Sequence, residues 1–422
     1  MPSRKRVRRE LLPNGLTLVT ERLSHSPSVT AGVWIKAGSR HEPRASSGVS
    51  HFIEHLLFKG TPSRTYSEIY KAYDRMGGQL DAFTSREIIG FYFRVQKTHF
   101  REAFDVLGDM LVHPLFPEEE MERERGVILE EIRMVGDSPA DRMADLFMAR
   151  AFPSHPIGRP VQGTEKSVAA LTRRKVLSHH RRIVQPQNMI ITATGDIVLQ
   201  ELADVCGPLL GALPPGKPLV QRMPSFRPGS ETFVRPHLEQ TQIALGFAAE
   251  PADGPNRFAL LVLANLLGGT MSSRLFTELR EKHGLVYSVS AEHAGFSDGG
   301  IIGINAACAH RQAERTIREI FRVLRGVLEG GIRREELSIA KENLLGGLIL
   351  SMESPSARMG RLARNEVFFG RQLSIASSLK GIRSVGRGAV VEAARTFLRR
   401  DRLLAATLGT GGVLDGLDPD AF

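Results

Sequence analysis

Residues 51–55 read His-Phe-Ile-Glu-His, and three of these five side chains can do chemistry together. On a helix, His51 and His55 stand one turn apart on one face, about 5–6 Å between Cβ atoms. Imidazole nitrogens so spaced can both meet one zinc ion at about 2.0–2.1 Å. Glu54 is three positions after His51, so it reaches the same side without being a ligand. Its carboxylate is placed to take a proton from a water that the metal acidifies to a pKa of about 7. The competing reading is structural: two histidines flanking a charge on an ordinary helix face.

A catalytic zinc site needs a third protein ligand and an open fourth position. Cys206 and Cys308 are the only cysteines, which excludes a multi-cysteine cluster or a disulfide framework and fits a reducing compartment. Any metal must therefore be held by His and carboxylates. The segment MERERGVILEEIRMV supplies carboxylates. Glu124 and Glu131 are seven apart, two helical turns, on one face. Val127 and Ile128 make that side apolar, so it is expected to be buried. Carboxylates beside a buried stripe need a partner such as a metal or a histidine N–H. Glu130 points elsewhere and reads as solvated, as do Glu118, Glu119, Glu120 and Glu122.

The elements that must carry these residues follow from periodicity. Leu11 to Val29 reads as two strands joined at Pro13-Asn14-Gly15, and Ala31 to Ser39 as a mostly apolar strand. From Ser47 the period is helical. Tyr66 to Met76 is a helix with Thr65 as its cap and Gly77-Gly78 as its stop. Asp81 to Val95 alternates like strands around a turn. Helices follow over Thr98–Val112, Glu118–Gly136, Ala140–Arg150 and Thr172–Arg182, then a buried strand over Asn188–Gly195. Residues 207–229 hold six prolines and four glycines and mark a linker. The boundaries expected are 1–211, a linker over 212–229, and 230–422.

After the linker the pattern restarts. NMIITATG at 188–195 matches RLLAATLG at 402–409, and LLFKGT at 56–61 matches LLGGT at 266–270, at offsets of 214 and near 209. One period of about 210 residues, twice, predicts two similar α+β domains from an internal duplication. At an offset of 209, His51, Glu54 and His55 fall on Leu260, Leu263 and Ala264, and Glu131 on Ala340. The second half would keep the helices and lose the metal site, giving one zinc per chain.

The chain has 422 residues, enough for two or three domains, and 24% of them are charged, which is ordinary globular usage. Its net charge of +10 is spread: 29 basic and 25 acidic residues in 1–211, 27 and 21 in the rest. The dense cluster Arg4, Lys5, Arg6, Arg8 and Arg9 reads as the solvated start of the first strand. No aromatic-interleaved basic patch supports nucleic-acid binding, and no apolar run is long enough to span a membrane. His179-His180 reads as surface, and His113 and His283 as structural.

GVSHFIEHLLFKGT, with Glu131 in RERGVILEEI 76 residues after His55, resembles the pitrilysin-type, or inverzincin, metallopeptidases. Within them the likeness is to the β subunit of mitochondrial processing peptidase and its bacterial relatives. It extends through GSRHE at 38–42, GGQLDAFTSRE at 77–87, HPIGRPVQGTE at 155–165, SSRLFTELREKHGLVYSV at 272–289 and SMESPSARMGRLARNEVFFGR at 351–371.

The resemblance implies a zinc endopeptidase acting on short or unfolded peptides, with two α/β-sandwich domains of mostly antiparallel sheet arranged as a clamshell. It implies His51, His55 and Glu131 as zinc ligands, Glu54 as general base, and Glu124 as the carboxylate that orients a ligand histidine. Arg280 and Tyr287 would reach the bound peptide, Tyr287 donating to the developing oxyanion. Asp81, Ala82, Phe83 and Thr84 would lie on an edge strand that a substrate peptide joins by strand addition; the family commonly has Asn where this chain has Asp81. It further implies a homodimer. The lack of an apolar signal run after the basic start and the near-absence of cysteine point to the bacterial cytoplasm ahead of the mitochondrial matrix. The rival within the family is a silent, peptide-holding scaffold subunit.

Overall fold

The computed structural model describes residues 7–414. The first half runs β1 (Val7–Leu11), β2 (Thr17–Arg22), β3 (Ser28–Ile35), α1 (Val49–Leu57), α2 (Tyr66–Arg75), β4 (Gln79–Thr84), β5 (Ile89–Gln96), α3 (Phe100–Val112), α4 (Glu118–Asp137), α5 (Pro139–Ala151), α6 (Glu165–Ala169), α7 (Arg173–Ile183), β6 (Met189–Gly195) and α8 (Leu199–Cys206). The second runs β7 (Gly229–Val234), β8 (Gln240–Ala249), α9 (Arg257–Gly268), β9 (Val286–Gly295), β10 (Gly300–Ala309), α10 (Ala313–Leu328), α11 (Arg334–Ser351), α12 (Pro355–Phe369), α13 (Ile375–Ser384), α14 (Arg387–Phe397) and β11 (Leu403–Gly409). Among the described residues no helix is long and apolar enough to cross a membrane.

The duplication is visible in topology. The six-stranded sheet has the order β1-β2-β6-β3-β5-β4 and the five-stranded sheet β7-β11-β8-β10-β9. Apart from β1 the two orders are the same, and so are the directions: β2/β6 and β7/β11 pair parallel, and the rest pair antiparallel. The strands matched by sequence, NMIITATG and RLLAATLG, form β6 and β11 at corresponding places in their sheets. Leu260, Leu263, Ala264 and Ala340, which stand where the first half has its metal-ligand motif, are core residues of the second half.

The compact units are interleaved rather than contiguous. Among the described residues, one comprises 7–134, 159–222 and 351–372; the other comprises 135–158, 223–350 and 373–414. The reason lies in two corresponding helices. Ser138-Pro139-Ala140-Asp141-Arg142-Met143 starts α5, and Ser354-Pro355-Ser356-Ala357-Arg358-Met359 starts α12, each with the serine as N-cap and proline in the first turn. Each helix packs on the sheet of the other half. Met359, Leu362 and Ala363 of α12 cover Val19, Trp34 and Ile190. Met143, Phe147 and Ala151 of α5 cover Ala244, Ile301, Leu404 and Ala406. The proline-rich stretch is also tied down: the N–H groups of Gly216, Lys217 and Leu219 donate to Gln187, Gln185 and Asn188.

Local expectations fare unevenly. Thr65 caps α2 in a capping box with Glu68, and Gly77 turns out of the helix at φ +58°. Val127 is not buried; it is 47% exposed, and Ile128 alone turns inward. His179 and His180 are not surface residues; both are buried. His180 Nε2 donates to the Leu111 carbonyl at 2.9 Å, and His179 bridges Ser50 Oγ and the Arg182 guanidinium, each at 3.0 Å. Those partners are remote in sequence, so the basic local composition concealed them.

Candidate metal centre

Helix α1 starts where the chain can supply no local side-chain cap, because its N-cap is Gly48 at φ +91°. A remote carboxylate takes over that role. Glu42 accepts from the Gly48 N–H at 2.7 Å and the Ser50 N–H at 2.8 Å, holding two of the donors a helix start leaves open. Burial pushes the Glu42 carboxyl up to about 7, against the pull of those N–H groups. The Gly48 backbone meets residues 162–163 so closely that a Cβ on it would lie 2.3 Å from the Gln162 carbonyl oxygen. The start of α1 is thus clamped by segments from GSRHE and HPIGRPVQGTE.

The helix presents His51, Glu54 and His55 together. Their apolar neighbours Phe52, Ile53, Leu56 and Leu57 are fully buried in the core, which fixes the opposite face. The His51 and His55 rings lie 4.7 Å apart, edge to face at 71°. Across from them, α4 brings Glu131 Oε2 to 3.6 Å from His51 Nε2 and 3.8 Å from His55 Nε2. Helix α4 is set against α1 partly by Arg125, which stacks on Phe52 and bonds the Leu171 carbonyl.

This geometry fits a shared cation. The two separations exceed hydrogen-bond length, yet two atoms each about 2.0–2.1 Å from one zinc in tetrahedral array stand about 3.3–3.4 Å apart. Among the described residues, His51, His55 and Glu131 are the one group of three such side chains whose donor atoms lie within 4.8 Å of one another. Burial, then the neighbouring His55, lowers the His51 pKa to about 4, so His51 is a neutral imidazole with a lone pair to give.

Glu124 and Glu131 separate in role by position. Glu124 Oε2 lies 3.0 Å from His55 Nδ1, leaving Nε2 as the ring atom that faces Glu131. Its Oε1 meets Lys59 Nζ at 2.5 Å. Burial pushes the Glu124 pKa up, but the Lys59 and His55 contacts outweigh it and hold the group below the usual range. Glu54 is different. Burial raises its pKa, and its Oε2 is buried with no hydrogen-bond partner.

Strand β4 is the edge of its sheet and pairs with β5 alone. It carries Asp81, Ala82, Phe83 and Thr84 in alternating exposure and packs beside α1. Asp81 is held by the Tyr92 hydroxyl at 2.8 Å and the Ala82 N–H at 2.8 Å. Arg280 and Tyr287 belong to the other compact unit. There the Arg280 guanidinium lies 5.1 Å from the centre of the Tyr287 ring, and Tyr287, on β9, is 75% exposed. Glu42 and Lys59 escaped the sequence reading as parts of the site. Both stand in the quoted blocks, GSRHE and LLFKGT, but nothing local says what they touch.

Comparisons with known proteins agree with this architecture. Residues 17–165 match the Insulinase (Peptidase family M16) model, and residues 170–344 match the Peptidase M16 inactive domain. A Mycobacterium tuberculosis protein named an uncharacterized zinc protease is 39% identical over 410 residues, covering 96% of this chain and 93% of the relative. The Bacillus subtilis protein named uncharacterized zinc protease YmxG is 34% identical over 407 residues, covering 96% and 99%. Among solved structures, a Helicobacter pylori protease superimposes with TM-score 0.91 at 23% identity, over 96% of this chain and 99% of that one. The fold is that of an M16-type peptidase. The chain belongs to peptidase family M16, and its curated relatives carry the name zinc protease.

Proposed function

We propose that this protein is a zinc-dependent endopeptidase that hydrolyses short or unfolded peptides. The observation that carries the reading is the convergence of His51 Nε2, His55 Nε2 and Glu131 Oε2 beside Glu54, whose Oε2 is buried without a hydrogen-bond partner. These three side chains would hold one zinc per chain. When bound, zinc supplies Lewis acidity, polarising a carbonyl and bringing the pKa of water down to about 7.

The chain's own residues do the rest. Glu54 takes a proton from the attacking water on its carboxylate and returns it to the leaving amine; its raised pKa suits both directions of transfer. Glu124 holds the His55 ring in the tautomer that keeps Nε2 free. The edge strand β4 offers main-chain groups to an extended peptide at Asp81, Ala82, Phe83 and Thr84, a mode that tolerates many sequences. From the second unit, Tyr287 would donate its hydroxyl to the developing oxyanion and Arg280 would hold a substrate carbonyl. We also propose a homodimer, which light scattering on the purified protein checks; a strict monomer would contradict it.

The test is cleavage of a quenched, arginine-containing peptide by wild-type and Glu54→Gln protein side by side. Cleavage lost in Glu54→Gln while zinc stays bound supports the site and the base together. Equal cleavage by both would put the chemistry elsewhere. Cleavage by neither, with zinc bound in both, would favour the scaffold subunit.

A further inference from the structure

One charged contact at the centre has no role in the reading above. Helix α1 ends at Leu57 with Phe58 as C-cap, and the Lys59 N–H then bonds the Leu56 carbonyl at 3.1 Å. Gly60 turns the chain away at φ +116°. The Lys59 side chain, only 20% exposed, folds back so that Nζ reaches Glu124 Oε1 at 2.5 Å. The other oxygen of the same carboxylate lies 3.0 Å from His55 Nδ1. Glu124 therefore bridges an ammonium group and an imidazole that faces the metal position.

We propose that Lys59 is a positioning residue for the metal, acting through Glu124 on His55; this rests on the zinc-site reading above. The terminal torsion of a glutamate is broad, so a single hydrogen bond leaves the plane of its carboxylate free to swing. A second, charge-assisted contact on the other oxygen removes that freedom. A fixed carboxylate plane fixes the His55 ring, and with it the place of Nε2 opposite Glu131.

Support for the two imidazoles is one-sided, which makes the arm through Lys59 matter more. His51 Nδ1 is buried and has no hydrogen-bond partner. Nothing on its Nδ1 side matches the chain of two contacts, through Glu124 to Lys59, that holds the His55 Nδ1. The rival account is that Lys59 serves only the helix, since a cation at a C-terminus is favoured by the partial negative charge there. The two accounts differ in what a substitution changes: the first alters metal binding, the second the stability of the metal-free protein.

The experiment measures zinc dissociation constants by competition with a chromophoric chelator, and melting temperatures of the metal-free forms. It uses full-length wild type, Lys59→Met, Lys59→Arg, Glu124→Gln and the Lys59→Met/Glu124→Gln double variant. Lys59→Met keeps the aliphatic stem and should weaken zinc binding about 10–100-fold, the range usual for outer partners of metal ligands. Its metal-free melting temperature should stay near that of wild type, and Lys59→Arg should recover most of the affinity. Because Lys59 acts through Glu124, the double variant should bind zinc no more weakly than Glu124→Gln alone. Unchanged affinity in Lys59→Met overturns the proposal. So does a loss mirrored in metal-free stability, and so do additive losses in the double variant. Wild-type protein that binds no zinc would instead overturn the zinc-site reading itself, and this proposal with it.

Discussion

Arg9 and Glu366 stand 357 residues apart in the chain, and the Arg9 Nε lies 3.1 and 3.0 Å from the two carboxylate oxygens of Glu366. The contact joins β1 to α12 within one compact unit, and Arg358 to Glu21 at 2.5 Å repeats the pattern a few residues earlier. The sheet of the unit that holds the candidate metal centre is thus covered in part by a helix from the far half of the sequence.

Replacing Leu362 by Ala tests that dependence. Leu362 is buried against the sheet beside Trp34, so the substitution should cost about 2–5 kcal/mol of stability. Trp34 is the single tryptophan of the chain, so its fluorescence reports this unit selectively during urea unfolding. A Trp34 transition unmoved by Leu362→Ala would contradict the packing of α12 described above.

Two glycines make opposite predictions. Gly48→Ala would need a left-handed residue with its Cβ 2.3 Å from a carbonyl oxygen, at the start of the metal helix. It should destabilise the protein and impair zinc binding. Gly126 lies within α4, where an added Cβ meets nothing within 4 Å, so Gly126→Ala should stabilise by about 0.5–1 kcal/mol. Thermal melts of the two variants check both signs.

Acid stability should be set in part by the buried histidine pair. Burial lowers His180 to about 4 and, with the Arg182 guanidinium adding to burial, His179 to about 3. Between those values and about 6.5, the unfolded chain binds protons that the folded chain refuses. This contribution to stability is therefore complete above about pH 6.5 and is lost as the pH falls toward 4. For His180 the loss is on the order of 3 kcal/mol. His180→Gln retains a donor for the Leu111 carbonyl and should flatten the acid limb of the metal-free protein, followed by Trp34 fluorescence. An acid limb as steep as wild type would contradict a neutral, buried His180.

What the sequence disclosed and what it hid divide along a physical line. His51, Glu54 and His55 share one helix, so their spacing alone states their geometry, and Glu131 sits at helical spacing from Glu124. The strands NMIITATG and RLLAATLG were legible because full burial leaves an unbroken apolar run. The exchange of α5 and α12 was not. The repeat SPADRM and SPSARM is visible in the letters, but nothing in either helix says which sheet it covers. Glu42, Lys59, His179 and His180 were missed for the same reason. Each is satisfied by a partner whose position only the folded chain defines, and the basic local composition made the two histidines look like surface residues.

The central claim is one zinc per chain, held in the first half by His51, His55 and Glu131. Zinc content after equilibrium dialysis tests it most directly, in wild type, Glu54→Gln, His51→Ala and Glu131→Ala. The account predicts one zinc per chain in wild type and in Glu54→Gln, and a severe loss in the other two. Two zinc ions per chain, or undiminished binding in both His51→Ala and Glu131→Ala, would contradict it.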